Sequence, residues 1–250
     1  MTSLALHRTR ALAGRVLRQL RADPRFVAVS LAIPLVIIFL LKVFFDAIDI
    51  PMFDQTRFAI PGAAFIVHFV TYILTAIVLV RERVGGTMER MFINGYRQLE
   101  IIGGYLGAYT ILATWQSLLI LTWVAFLFDL GYTVAAYAQI YLVIWLLSVL
   151  SMALGILVSN FARTEGQVIP FIPLIVVPSV FLSGMIVAVE DLPGWAQVLS
   201  RFTPLFYANE VLQEIISGGS VLDAWQPFLA LPLLTAGVLV LASRTLREGR

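Results

Sequence analysis

The sequence predicts an all-α membrane protein: six transmembrane helices behind an amphipathic interfacial helix, with two long structured loops between spans. Three observations carry that expectation. First, 60% of the 250 residues are hydrophobic and only 13% are charged, against roughly 25% charged in soluble domains. A water-soluble enzyme, a disordered chain and a disulfide scaffold are thereby excluded. Second, six windows, at 26–45, 58–80, 104–128, 133–158, 167–189 and 224–243, are long and apolar enough to cross a bilayer, since ~30 Å of hydrocarbon takes ~20 helical residues. A barrel would show ~10-residue alternating segments instead. Third, charge is sorted by side. Of 17 basic residues, 14 fall on segments that share one face: Arg8, Arg10, Arg15, Arg18, Arg21 and Arg25 before span 1, then Arg81, Arg83, Arg90 and Arg97, then Arg163, then Arg244, Arg247 and Arg250. Lys42, Arg57 and Arg201 lie on the other face with nine of the 15 acids, Asp49 and Asp54 among them. The positive-inside rule then places both termini in the cytoplasm. The absence of cysteine removes thiolate metal sites, thiol catalysis and redox switching.

Two units are expected, an interfacial helix over residues 1–25 and a transmembrane domain over 26–250. In the first, Leu12, Ala13, Val16, Leu17 and Leu20 fill one sector of a helical wheel, while Arg8, Arg10, Arg15, Arg18 and Arg21 fill the opposite one. A plain positive-inside anchor would need no such segregation, so the pattern favours a helix in the membrane surface that also packs against something cytoplasmic. The basic start runs to Arg25 before any long apolar stretch, unlike a signal peptide, and the N-terminus is read as retained.

Within the spans ionisable groups are scarce. Lys42 sits near the outer end of span 1, where its stem can snorkel toward Asp46. His68 has no carboxylate one turn away, so a metal site or proton relay lacks its second member, and the ring is expected to bond a backbone carbonyl or water. Aromatic Phe65, Phe69 and Tyr72 on span 2, with Phe171 and Phe181 on span 5, are the candidates for lining a substrate pathway; the alternative is that they face lipid or pack. Span 5 also carries Pro170, Pro173 and Pro178, and span 6 Pro227 and Pro232. Each lacks a backbone donor, so span 5 is expected to be kinked and buried in protein.

Two connections are too long to be turns: 81–103 inside and 190–223 outside. In the first, Gly85 and Gly86 break the exit from span 2, Thr87 can cap a new short helix, Glu89 suits its positive end, and Gly95 ends it. Met88, Met91, Phe92 and Ile93 give that helix apolar bulk beside charges, adaptable contact chemistry for a partner's groove; the alternative is a helix dipping into lipid. In the second, Trp195, Val198, Leu199 and Phe202 share one face of a short helix, Pro204 interrupts, and Tyr207, Val211, Leu212 and Ile215 form a stripe on the next, closed by Gly218 and Gly219. Two helices re-entering the outer leaflet fit this pattern, an aromatic belt being the alternative.

These residues carry a resemblance. Arg81, Glu82, Gly86, Thr87, Glu89, Met91, Phe92 and Glu100 resemble the signature of the ABC type-2 exporter permeases, although Gly95 stands where a proline is common and Gly103-Gly104-Tyr105 where Gly-Lys is common. Leu182-Ser183-Gly184-Met185, Asp191-Leu192-Pro193-Gly194-Trp195 and Thr203-Pro204-Leu205-Phe206-Tyr207 are similar to the same family's outer segment, so the resemblance runs over essentially the whole chain. It implies that the 81–103 loop is a cytoplasmic coupling helix seated on an ATPase through Arg81, Glu82, Thr87, Met88, Glu89, Arg90, Met91 and Phe92. It implies an outer gate at Trp195, Pro204 and Tyr207, and span 5 at a dimer axis. The implied function is the permease subunit of an ATP-driven exporter in the bacterial inner membrane, moving a hydrophobic or amphipathic drug or lipid. The implied partners are two ABC ATPase subunits, a second permease copy or a homologue, and membrane lipid, with no nucleic acid. No G-x-x-x-x-G-K-[ST] loop occurs, so ATP and Mg would sit on the ATPase. No metal motif, catalytic elbow or paired carboxylate within a span points to an enzyme. Alternatives are a polysaccharide or ion exporter of the same kind, a non-transporting membrane anchor for a cytoplasmic partner, and a proton-coupled carrier, which the lack of buried carboxylates disfavours.

Overall fold

The structure is a computed structural model that describes residues 2–47 and 55–246; Asp49, Asp54, Arg247, Glu248 and Arg250 lie outside the described residues. Those residues form ten α-helices joined by turns and two short 3-10 segments, with no strand among them. In order they are α1 Thr2–Ala22, α2 Pro24–Ala47, α3 Gln55–Val84, α4 Thr87–Ile93, α5 Gln98–Leu127, α6 Val134–Ser159, α7 Phe171–Phe181, α8 Gly194–Ser200, α9 Pro204–Ile216 and α10 Trp225–Thr245.

Among the described residues, five helices are long and apolar enough to cross a membrane: α2, α3, α5, α6 and α10. They match five of the six apolar windows, and several run further than the windows. α3 extends to Val84 and α5 begins at Gln98, which shrinks the 81–103 connection to two turns around one short helix. The window 167–189 behaves differently. It is a 3-10 turn at Glu165–Val168 followed by the 11 residues of α7, about 16 Å of helix and too short alone for ~30 Å of hydrocarbon. Its prolines explain the break. Pro170 is the N-cap and Pro173 lies in the first turn, where backbone donors have no helical partner in any case. They start the helix and prevent it from extending backward, and only Pro178 lies within it. The expected burial of span 5 is also not met inside one chain: Ser179 is the buried residue of α7, while Leu174, Val177 and Phe181 are exposed.

The centre of the bundle is the α3–α6 pair. In each, 67% of the apolar window is buried, against 17% in α2 and 11% in α10, which therefore form the periphery. Small residues let the central pair approach: a Cβ on Gly155 of α6 would stand 2.7 Å from the Tyr72 carbonyl oxygen and 2.9 Å from Thr75 Cβ on α3. Two cores result. One, away from α4, packs Ile60, Ala63 and Val67 of α3, Ile140, Ile144 and Leu147 of α6, and Leu205, Val211, Leu212 and Ile215 of α9. The other gathers Leu12, Val16 and Leu20 of α1, Met88 and Met91 of α4, Ile101, Ile102 and Tyr105 of α5, Ile156, and Leu246.

Polar groups inside the bundle tie helices together. His68 Nδ1 lies 2.7 Å from Ser151 Oγ on α6, and Nε2 3.3 Å from Ser179 Oγ on α7. The ring thus finds two hydroxyls where a carbonyl or water was expected. Lys42 reaches Asp46 as the spacing suggested.

Because the Tyr72 carbonyl is backbone and cannot swing aside, Gly155→Ala is expected to lower stability by about 1–3 kcal/mol. Gly107→Ala, whose Cβ meets nothing within 4 Å, should raise it by roughly 0.5–1 kcal/mol through helix propensity. Thermal unfolding of the detergent-solubilised protein measures both; equal shifts would contradict the close-packing account.

Candidate functional site at the α4 end

A helix of seven residues does not stand alone in water, so α4 depends on its seat. Its start is set by backbone: Gly86 is the N-cap at φ 67 and makes no side-chain cap bond, so Thr87 is the first helical residue and not the cap. Its end is a complete Schellman motif, with Tyr96 N–H on Met91 O at 3.0 Å and Gly95 N–H on Phe92 O at 2.8 Å. Gly95 has φ 77, the conformation glycine adopts without strain. Met88 and Met91 are buried in the second core, each contributing about 1.5–3 kcal/mol of apolar burial. They were expected to be exposed contact groups, and the structure corrects this: they are the buried anchors that, with half-buried Phe92, seat the short helix on the second core. The outward groups are Glu89, Arg90 and Ile93, the last 85% exposed, with Phe92 half-buried between.

Three consecutive residues at the end of α3 reach three different neighbours. Arg81 forks onto Glu165 before α7, Nε to Oε1 at 3.1 Å and Nη2 to Oε2 at 3.3 Å. Glu82 accepts from Arg15 Nη2 at 3.3 Å and from Gln19 Nε2 at 3.2 Å, both on α1. Arg83 donates to the carbonyls of Ser159 and Ala162, the latter at 3.0 Å, and to Asn160 Oδ1 at 3.1 Å, closing the C-terminus of α6. Asn160 passes the link on, its Nδ2 donating to Ala242 O at 2.8 Å and Thr245 Oγ1 at 3.0 Å at the end of α10. Gln98 Nε2 donates to Leu246 O at 2.6 Å.

α1 runs along the first half of α5. Leu12 fills the space that a Cβ on Gly104 would need, 2.7 Å away, so the two glycines at 103 and 104 are explained as a helix-packing notch. Arg15 Nη2 donates to Tyr105 Oη at 2.5 Å. Arg8 donates to Gly95 O and lies 3.7 Å from Glu100 Oε2, while Glu100 accepts the Arg97 N–H at 2.9 Å. The apolar stripe of α1 therefore packs on this chain. Arg8, Arg15 and Arg83 were read from sequence only as part of the charge sorting and the polar face of α1, and Asn160 and Glu165 were not singled out, yet all five belong to the network; a run of arginine beside the Arg81-Glu82 pair was the available signal.

The pathway candidates are partly gathered. Phe65 and Phe69 stack at 6.1 Å, and Tyr72 Oη donates to Phe171 O at 3.3 Å, joining α3 to the start of α7. Phe181 is 60% exposed at the far end of α7. A cavity of about 280 Å³ nearby is lined instead by Leu174, Pro178, Ser179, Phe202 and Pro204, among others. Of the outer-gate candidates, Pro204 is buried at the first position of α9, Trp195 is 68% exposed on α8, and Tyr207 Oη donates to Arg201 O at 2.8 Å. Burial first, then the Glu210 carboxylate, raise the Tyr207 phenol above its ordinary pKa. The stripe on α9 is as expected, with Val211, Leu212 and Ile215 buried, and Gly218 and Gly219 close the helix in a second Schellman motif.

The two arginines should separate in stability measurements. Arg83→Ala strands the α6 carbonyls and Asn160 and is expected to cost about 2–3 kcal/mol. Arg81→Ala removes a solvent-exposed pair, 60% and 47% exposed, and should cost at most about 1 kcal/mol. Denaturant unfolding of the two variants is the check, and the reverse order would refute the assignment.

Comparison with known proteins bears on this geometry. The chain is 24% identical over 188 residues to the probable multidrug ABC transporter permease YbhR of Escherichia coli (strain K12), covering 74% of this chain and 51% of that protein. It is 27% identical over 180 residues to ABC transporter G family member 20 of Dictyostelium discoideum, covering 69% and 24%. It is 26% identical over 161 residues to the linearmycin resistance permease protein LnrN of Bacillus subtilis (strain 168), covering 64% and 41%. The match thus spans about half or less of each relative's length. The ABC-2 type transporter family pattern covers residues 7–216, taking in α4, the Arg81-Glu82-Arg83 hub and α7 to α9. With five long apolar helices among the described residues, the chain is a multi-pass membrane protein that belongs to the ABC-2 type transporter family.

Proposed function

We propose that the chain is the transmembrane permease subunit of an ATP-driven ABC exporter in a bacterial cytoplasmic membrane, and that α4 is its coupling helix. The observation that supports this most is the arrangement at the end of α3. A short helix is anchored inward by Met88 and Met91 and turns Glu89, Arg90 and Ile93 outward. It hangs by the Gly85-Gly86 turn from a helix end that is bonded to α1, α6 and the segment before α7. A displacement of α4 by a partner would reach every one of these elements.

In this reading ATP and Mg are held by two partner ATPase subunits, and the α4 end is cytoplasmic with both termini. The 3-10 turn, α7 and the residues up to 189 make up a fifth of six passes, with α8 and α9 as outer re-entrant helices at the exit. The exposed flank of α7 faces a second permease copy or a homologue. Because α3 and α6 touch backbone to backbone while α7 is held to them by His68, Tyr72 and Arg81, closure of the ATPases would move the α3–α6 pair as one body against α7. Phe65, Phe69, Tyr72, Phe171 and Phe181 would then line the opening, and Trp195, Pro204 and Tyr207 its outer end. Relatives named for multidrug transport and linearmycin resistance support a hydrophobic or amphipathic cargo.

The test is reconstitution of the permease with its ATPase in vesicles, reading ATP-dependent efflux of an apolar dye and stimulated ATP hydrolysis. Ile93→Asp, at a side chain 85% exposed, is expected to lower both by about tenfold or more at unchanged thermal stability, whereas Met88→Asp and Phe92→Asp, whose side chains pack on the second core, should destabilise the fold itself. Undiminished efflux in the Ile93 variant would sink the coupling assignment.

A further inference from the structure

Where α1 turns into α2, these two helices and α5 enclose an open groove of about 930 Å³. Leu17, Val27, Ile111 and Trp115 line its floor, and Arg18 and Arg21 stand at its rim. Gly14 also borders it, and a Cβ there would meet only Arg18 Nη1 at 3.9 Å, so the missing side chain leaves the wall open.

The depth of the groove follows from its neighbours. Gln19 bonds Glu82, and an adjoining cavity, which meets the groove at Leu20, is lined by Gln19, Asp23, Arg81 and Glu82, so Arg18 and Arg21 stand level with the charged end of α3. Asp23 then turns the chain, accepting the Phe26 N–H at 3.0 Å, and Pro24 begins the first apolar helix. Further along α5 the indole of Trp123 bonds Leu35 O of α2 at 3.1 Å, so the floor continues from the rim toward the hydrocarbon. Trp115, 65% exposed, lies where tryptophan favours the boundary between head groups and tails.

Charge selects the occupant. Arg8 and Arg15 on the same helix have carboxylate partners, whereas Arg18 and Arg21 have no hydrogen bond or ion pair among the described residues. Two unpaired guanidiniums over an apolar floor are complementary to a phosphate that carries acyl chains.

We propose that this groove binds an anionic phospholipid of the leaflet on the α4 side, its phosphate held by Arg18 and Arg21 and an acyl chain lying on Val27, Ile111 and Trp115. The proposal rests on the membrane reading of the long helices and is independent of transport. A lipid seated there braces the Asp23 elbow, and α1 carries that restraint to Glu82 through Arg15 and Gln19.

The full chain is placed in phosphatidylcholine nanodiscs with increasing phosphatidylglycerol, extracted gently, and its retained lipid counted by native mass spectrometry. One phosphatidylglycerol per chain is expected. Arg18→Gln with Arg21→Gln should lower its apparent affinity by about tenfold or more. Gly14→Leu, which fills the groove with both charges intact, should do likewise. Arg10→Gln with Arg25→Gln removes the same charge from residues outside the groove lining and should retain the lipid, and soluble glycerophosphoglycerol should not displace it. Thermal unfolding without added phosphatidylglycerol verifies that each variant is folded. The proposal is overturned if the Arg18/Arg21 variant retains lipid like the parent, if the Arg10/Arg25 variant loses as much, if phosphatidylcholine is held equally well, or if the soluble head group competes.

Discussion

Successive residues on a helix point about 100° apart, and at the end of α3 that geometry sends Arg81, Glu82 and Arg83 to three separate elements. The rest of the α4 end depends on this divergence. Helices that leave a bilayer expose carbonyls at their C-termini that need donors, and α6 and α10 end at the same level. Arg83 supplies donors to the first and, by orienting Asn160, to the second. The interactions differ in weight: the Arg83 bonds are half-buried and fix helix ends, while the Arg81–Glu165 pair is open to solvent and tethers α7 loosely. One helix end is thus rigid on two sides and yielding on the third.

That inequality continues through the bundle. Gly155 lets α3 and α6 meet at backbone distance, a contact that tolerates no sliding, whereas α7 touches α3 through single polar contacts at His68 and Tyr72. Motion, if imposed at α4, has its softest boundary along α7. The exposed apolar flank of α7 is also where a second chain would find surface to bury.

Much of the architecture was legible in the sequence for a simple reason: in hydrocarbon a helix must satisfy its own backbone, so a long apolar window reports a helix with little tertiary information. Five windows became such helices. The stripe on α9, the glycine stops after Ile93 and Ile216, and the Lys42–Asp46 pair were equally local and equally readable. The window 167–189 instead became a 3-10 turn and the short α7, because hydropathy does not register that the missing donors of Pro170 and Pro173 stop a helix from passing through them. Met88 and Met91 were misplaced for a different reason. On a seven-residue helix, spacing defines two faces but does not say which one meets the protein, and that depended on Leu12 and Leu246 converging from far along the chain beside the nearby Ile101.

By itself, then, the sequence determined the helical membrane class, the five long helices and the helix stops, because each follows from the chemistry of neighbouring residues and the thickness of a bilayer. Only the tertiary structure decided that α1 lies along α5 in the notch of Gly103 and Gly104, that Arg83 and Asn160 join three helix ends, that His68 bridges two serines, and that the methionines of α4 face inward. These are contacts between residues 76 to 111 positions apart or between helix faces of equal apolarity, and their partners are chosen by packing, which no local pattern encodes.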